Sequence, residues 1–361
     1  MPPAANQPVA FIATPTIRLN GRENTRMAAL VAGMTVTEQA AGLSSLELRL
    51  TNVASIHDGG AETAFDAGGE LDLGSELVIG AGNVTSPVEI FRGAITALEG
   101  VFTEDDAPQL IVLAEDALQK ARMARRSKVY ENQSLADIIK EVANRHGLTP
   151  RVNGLTSTFG SQVQMNESDL AFLRRLLLRA DAELQIVGTE LHASSRSDVR
   201  RGQIELGIHD QLRCVRITAD LADQITQATV RGWDVGAGSA LDADGADNAL
   251  GPGRGRKAST ILEKKFTGRR HHCGHLAAWN QEEANALAAA IRNQRARRFV
   301  RAVGVSTGNP SLRVGTHVKL TGLGQWFSNT FYVVKARHLF DRLQGYRTEF
   351  EAECATLGEN A

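Results

Sequence analysis

Cysteine is scarce, with Cys214, Cys273 and Cys354 the only three in 361 residues. They are odd in number, far apart and in no C-x-x-C pair, which excludes a disulfide framework and suits a reducing compartment. Their simplest role is that of small buried apolar residues. Aromatic residues make up 5% of the chain, too few for the interleaved aromatics and cations of a single-strand nucleic-acid platform. A formal net charge of -1 gives no global attraction to nucleic acid or anionic membrane. No run approaches the roughly 18 apolar residues of a membrane span. The opening MPPAANQPVAFIATP lacks a basic region followed by an apolar core. Cytoplasmic synthesis is therefore expected, without membrane insertion of this chain. The catalytic spacings G-x-S-x-G and H-E-x-x-H are missing, and nothing marks carboxylates such as Asp105 and Asp106 as a glycosidase pair. No catalytic residue, cofactor or metal site is expected, and the chain reads as not an enzyme.

What is present is a chain long enough for two or more domains and a sizeable core. Its hydrophobic content of 42% is ordinary for a globular protein. Charge is unevenly spread. Residues 61–120 hold twelve acidic against two basic side chains, and residues 254–301 twelve basic against three acidic. Solvated faces of two domains account for this simply; contacts between copies or with other components are the alternative.

From Val9 to about Val129, short alternating segments such as SLELRL, SELVIGAG, VEIFRGAITALEGVF and QLIVLAED are separated by Gly, Asp, Asn and Pro. This predicts strands of a barrel or sandwich. The period then changes. In NQSLADIIKEVANRHGLTP, Leu135, Ile138, Ile139 and Val142 recur at helical spacing, Ser134 and Asp137 form a capping box, and Gly147 stands at the C-terminal turn. QMNESDLAFLRRLLLRADAEL predicts a second helix with Asn166 and Asp169 as a capping pair. Its apolar face is Leu170, Leu173, Leu176, Leu177 and Ala180, and Arg174, Arg175 and Arg179 lie on the wet side or meet a neighbour. Alternation returns in GQIELGIHDQLRCVRITAD and DQITQATVRGWDV. The stretch 236–259, rich in Gly, Ala, Asp and Ser, reads as a long exposed loop. A third helix is predicted from Asn280 with Glu283 as its box partner, and with Arg292, Arg295, Arg297 and Arg298 as a solvated basic end. A strand meander closes the chain.

Three local patterns invite chemistry. His271, His272, Cys273 and His275 offer imidazole and thiolate, yet Gly274 interrupts a helix, and neighbouring strand residues face opposite ways. A polar turn is the simpler reading. LDADGADNALG has Asp242 and Asp244 at the first and third positions of a calcium loop, but Ala246, Asp247 and Gly253 occupy positions that need a ligand, a glycine and a glutamate. GPGRGRK lacks phosphate-loop spacing.

The segments EIFRGAITALEGVF, ENQSLADIIKEVANRHGLTP, MNESDLAFLRRLLLRADAELQI and GNPSLRVGTHVKLTGLGQWFSNTFYVVKARHLFDRLQGYRTEFEA occur in an order that resembles the phage late control protein D family. This is the baseplate hub of contractile tails, similar to the N-terminal hub region of type VI secretion spike proteins. The resemblance runs from about Val9 to Ala355. It implies an α+β, mostly β fold with two β-barrel-like, tube-attachment domains joined by a mixed α/β middle domain. The expected division is 1–128 for the first barrel, 129–202 for the middle domain, 203–235 with 299–361 for the second barrel, and 236–298 for an inserted loop and helix. It further implies a homotrimeric ring adapting a hexameric tail tube above to a trimeric spike below, within the baseplate of a phage tail, tailocin or injection-system particle. Baseplate wedge and tape measure proteins would be further partners, with no specific nucleic acid. The spike is expected to be a separate polypeptide. Carried onto this chain, Asn166, Glu167, Ser168, Asp169, Leu170, Phe172, Leu173 and Leu176 match a structural helix of the middle domain. Gly345, Tyr346, Arg347, Thr348 and Phe350 match the closing strand of the second barrel. The alternatives are a tail-associated cell-wall-binding or hydrolase module, and a DNA-contacting tail adapter resting on Arg292 to Arg301.

Overall fold

The computed structural model describes residues 14–55, 61–66, 71–83, 85–245, 247, 249–274 and 278–358. Both alternating regions enter one mostly antiparallel sheet of 13 described strands, with a single parallel pairing between Gln203–Gly207 and His317–Thr321. In the first region, Thr16–Leu19, Val31–Gln39, Ser45–Thr51, Glu76–Asn83, Ser86–Val101 and Gln109–Glu115 pair as neighbours. In the second, Leu212–Ala219, Val300–Thr307, Gly345–Cys354 and Asn329–Asp341 do the same, and His317–Thr321 joins Gln203–Gly207 alongside. The two sets meet where Lys335–Asp341 pairs with Gly33–Gln39.

The alternation that predicts these strands also sorts their side chains. Leu46, Leu48 and Leu50 are buried on one strand, with exposed residues between them. Two separate clusters result. One gathers Ile17, Leu48, Ile79, Phe91 and Val112, reached from the second region by Phe340 and Tyr346; the other gathers Val318, Phe331, Phe350 and Ala352. Sharp curvature needs close backbone approach. A Cβ on Gly93 would lie 2.2 Å from the Glu115 carbonyl oxygen, so only glycine fits there.

The middle of the chain builds a third core. Ser134 caps the Leu135–Arg145 helix by accepting the Asp137 N–H at 3.2 Å, and Gly147 takes φ +71° at its far end. The Asp169–Arg179 helix follows, burying Leu170, Phe172, Leu173, Leu176 and Leu177. Its cap is Ser168, which accepts the Ala171 N–H at 3.3 Å, and not Asn166. Asn166 has φ +45° in the preceding strand Gln162–Ser168, so it stands two residues too early to cap the helix. Phe172 stacks on Tyr130 at a centroid distance of 5.2 Å. Beside the helices, Ala182–Val187, Glu190–Ser195 and Thr149–Asn153 form a small mixed sheet.

The reading of 236–259 as a long loop is corrected. Ser239–Gly245 is a strand, paired in register with Gln227–Asp234, so that Val230, Leu241 and Ala243 are buried against Leu287 and Ala288 of the Gln281–Arg297 helix. The small residues that suggested a loop are what lets the helix approach. A Cβ on Gly245 would meet the Ala288 carbonyl oxygen at 2.2 Å. Arg256–Lys257 also pairs with Thr356–Leu357. No described helix is long and apolar enough to cross a membrane.

Candidate functional site

Several buried charged side chains lie where one core meets another. Glu38, on the Val31–Gln39 strand, is buried at 5% exposure. Its carboxylate accepts from Arg313 Nε at 2.7 Å, Arg201 Nη1 at 2.6 Å and the Val314 N–H at 3.2 Å. Burial alone would raise this carboxyl; the two guanidiniums and the amide outweigh it and hold it down to about 2. Arg313 also donates to the Glu89 carbonyl at 3.3 Å. One carboxylate thus ties the first strand set to a turn of the second.

A second knot joins the middle sheet to the second strand set. Arg196 is buried, lies 3.4 Å from the centroid of the Tyr332 ring, pairs with Glu183 and donates to Glu353 at 2.7 Å. The Tyr332 hydroxyl donates to Glu183 at 2.6 Å, and burial pushes that phenol up to about 12. Arg297 grips Asp181 and donates to the Ala249 carbonyl at 2.8 Å. Desolvated charges in such a site are stable only when fully paired.

The helix at Asp169 is pinned in the same way. Asp169 is 1% exposed and accepts from Arg145 at 3.0 Å and Gln164 at 2.9 Å, with His146 Nε2 at 2.8 Å and Arg126 at 2.9 Å. Burial raises its carboxyl, and the donors of Gln164, His146 and Arg145 bring it below the ordinary carboxylate range. Of the three arginines on this helix, Arg174 donates to the Ala41 and Gly42 carbonyls at 2.9 and 2.8 Å, Arg175 pairs with Glu167, and Arg179 pairs with Glu283. All three therefore meet neighbouring elements, Arg175 the preceding Gln162–Ser168 strand. The remaining motif positions divide by depth. Leu170, Phe172, Leu173, Leu176, Tyr346, Thr348 and Phe350 are buried, Ser168 caps the helix, and Arg347 bonds Asp341 across the turn that Gly345 closes at φ +69°.

A cleft of about 640 Å³ opens where the three parts converge, lined by Ser44, Arg92, Asp116, Gln185, Arg200 and Arg313 among others. Asp116 accepts the Ser44 and Leu118 amides at 2.6 and 2.9 Å; burial nevertheless pushes its carboxyl up to about 6. Both of its oxygens are occupied by backbone donors, so it serves the joint between strand and helix better than proton transfer.

The basic helix end behaves differently from the expectation of a solvated face. Arg292 and Arg297 are buried at 3% and 5% exposure; Arg292 reaches Asp247 at 2.8 Å. That removes two of the cations on which a DNA-contacting adapter depended. Asn280 caps the helix by accepting the Glu283 N–H at 2.8 Å, while the Glu283 carboxylate turns back to the Trp279 N–H at 2.7 Å. His271 and His272 lie on a strand beside Gln227–Thr229. His272 meets Thr229 Oγ1 at 3.2 Å, Cys273 is buried in the apolar cluster, and His275 lies outside the described residues. Among the described residues no group of three or more His, Cys, Asp or Glu could hold a metal ion.

The sequence hides these knots because they join positions remote in the chain; Glu38 and Arg313 are 275 residues apart. Only Glu38 carries a local signal, as a charged residue at an inward position of an alternating strand.

Solved structures similar to this chain include phage tail proteins and a type VI secretion component. The 43 kDa tail protein of prophage MuSo2 from Shewanella oneidensis shares 12% identity at a TM-score of 0.68, covering 94% of this chain and 97% of that one. A tail protein from Neisseria meningitidis MC58 shares 11% at 0.65, covering 94% and 96%. The E. coli c3393 protein, a component of the type VI secretion system, shares 13% at 0.59, covering 92% and 76%. The mostly β fold is therefore that of phage tail and type VI secretion proteins, as the sequence resemblance implies. None of the curated proteins matches the chain. The family described as the Alg8 N-terminal domain matches residues 11–341, and the chain belongs to that family.

Proposed function

We propose that the chain is a non-enzymatic structural hub in the baseplate of a contractile tail or phage-like injection system. Three copies form a ring that presents a near six-fold surface to a hexameric tail tube on one side and a three-fold seat to a separate spike on the other. The reading is carried by the joining of two strand sets in one sheet, at Gly33–Gln39 and Lys335–Asp341. It is supported by the likeness of fold to tail proteins over 94% of the chain. A unit with two similar halves, repeated three times, offers six comparable faces; that is the simplest way for a trimer to meet a hexamer. The buried ion knots at Glu38, Arg196 and Asp169 suit this role, since a load-transmitting adapter needs its parts fixed relative to one another. The divisions at 1–128, 129–202, 203–235 with 299–361, and 236–298 are proposed as its working parts, with residues 227–235 packing on the inserted unit.

Electron cryomicroscopy of the assembled particle tests the proposal. Three copies of this chain are expected between tube and spike; another gene product at that position would overturn it. Zymography of the purified chain against peptidoglycan should give no clearing, and a clearing band lost on substitution of one carboxylate would favour a hydrolase instead.

A further inference from the structure

The hairpin of Ser86–Val101 and Gln109–Glu115 runs beyond the first core. Its deeply buried residues end at Ile95 and Val112, and residues 98–100 and 102–107 are exposed. Phe102 sits in this projecting part at 71% exposure, its ring lying so close over Gly100 that a Cβ there would touch it at 2.8 Å. Glu99, Glu104, Asp105 and Asp106 lie within four residues of it in the chain, all exposed, and none of their side chains has an ion-pair or hydrogen-bond partner among the described residues. Four uncompensated acids flanking an exposed aromatic residue in the chain raise local repulsion and leave apolar surface wet, a combination relieved by a basic, apolar partner surface.

A surface of that chemistry exists on the same chain. Arg125–Tyr130 and Gln162–Ser168 form an isolated two-stranded ribbon. Its inner face is used. Tyr130 and Gln164 are buried, and Lys128 pairs with Glu141. Its outer face carries exposed Val129 directly opposite exposed Val163, with Met165 two residues on at 75% exposure. Lys120 and Arg125 beside it have no carboxylate partner among the described residues; Arg125 donates only to the Asn166 carbonyl at 3.3 Å. With two strands only, each also leaves one backbone edge unpaired.

We infer that the acidic hairpin of one copy, with Phe102 as its anchor, docks on the Val129, Val163 and Met165 face of a second copy. The contact joins different patches on the two copies, so it is heterologous and can close a ring. The inference rests on the ring reading given above and names the surfaces through which the ring forms.

Sedimentation velocity of the full chain over a concentration series tests it. Reversing the tip with E104K, D105K and D106K together, or the ribbon with K120E and R125E together, is expected to raise the dissociation constant of the oligomer by roughly tenfold or more. Combining both reversals should recover most of the loss. All five positions are exposed, so far-ultraviolet circular dichroism should not change. Oligomers indifferent to both reversals would overturn the docking contact and leave the ring reading standing. A wild-type chain that stays monomeric at every concentration would count against the ring reading itself, and the contact would fall with it.

Discussion

Replacing Glu38 with glutamine removes the carboxylate that holds Arg201 and Arg313 across the seam while keeping its volume. The magnitude follows from the carboxyl itself. It lies at about 2 when folded against an ordinary value of 4.5, a difference of roughly 2.5 units, or about 3 kcal/mol at 1.36 kcal/mol per unit. Because the folded value is depressed, this stabilisation is complete above about pH 4.5 and is lost as pH falls through about 2. Stranding two partly buried guanidiniums agrees in size, since breaking a buried pair from one side costs about 3–5 kcal/mol. Urea unfolding of the wild type and E38Q, followed by tryptophan fluorescence, should therefore show a gap of about 3 kcal/mol at pH 7 that narrows steadily below pH 4.5. A gap under about 0.5 kcal/mol at pH 7, or one of constant size down to pH 2.5, would refute the reasoning.

His338 is fully buried, with Nδ1 against the Tyr346 hydroxyl at 2.8 Å; burial, seconded by the Arg313 charge, holds it at about 3. Its folded value lies below the unfolded one, so the unfolded chain binds the proton first, and stability should fall between pH 6.5 and 3; H338F, screened by thermal melts, should flatten that slope. Phe172→Ala removes a buried ring stacked on Tyr130 and is expected to cost about 3–5 kcal/mol, seen as an earlier urea midpoint. Asn280→Ala should cost about 1 kcal/mol by leaving the Glu283 amide without its cap. Gly255→Ala should lower the yield of soluble protein, because its Cβ would meet the Gly358 carbonyl at 1.8 Å with φ at +119°.

What could be read from the sequence was what neighbouring residues decide together. Leu135, Ile138, Ile139 and Val142 fall on one side of a helix whatever surrounds it, and Ser134 caps that helix by bonding three residues ahead. The same local logic places Leu46, Leu48 and Leu50 inward on one strand. It misplaced the cap of the next helix by two residues because Asn166 and Ser168 are both competent acceptors, and the strand pairing with Arg125–Tyr130 decides which of them is free to turn. Residues 239–245 lacked the β-branched signature of a strand, yet small side chains were required there by the close helix behind them. Arg292 and Arg297 looked like the wet end of an amphipathic helix; they are buried because Asp247 and Asp181 arrive from elsewhere in the chain.

On the hub proposal, those long-range pairings bear directly on function. An adapter between rings of different symmetry must keep its halves in fixed relation under load, and apolar contact alone tolerates sliding between packed surfaces. Directional, paired charges at the seams do not, since a small shift leaves a desolvated carboxylate or guanidinium without its partner. Glu38 with Arg313, Arg196 with Glu353, and Arg174 with the Ala41 and Gly42 carbonyls each cross a different seam. On the hub reading, their loss should disturb assembly before it unfolds any one core.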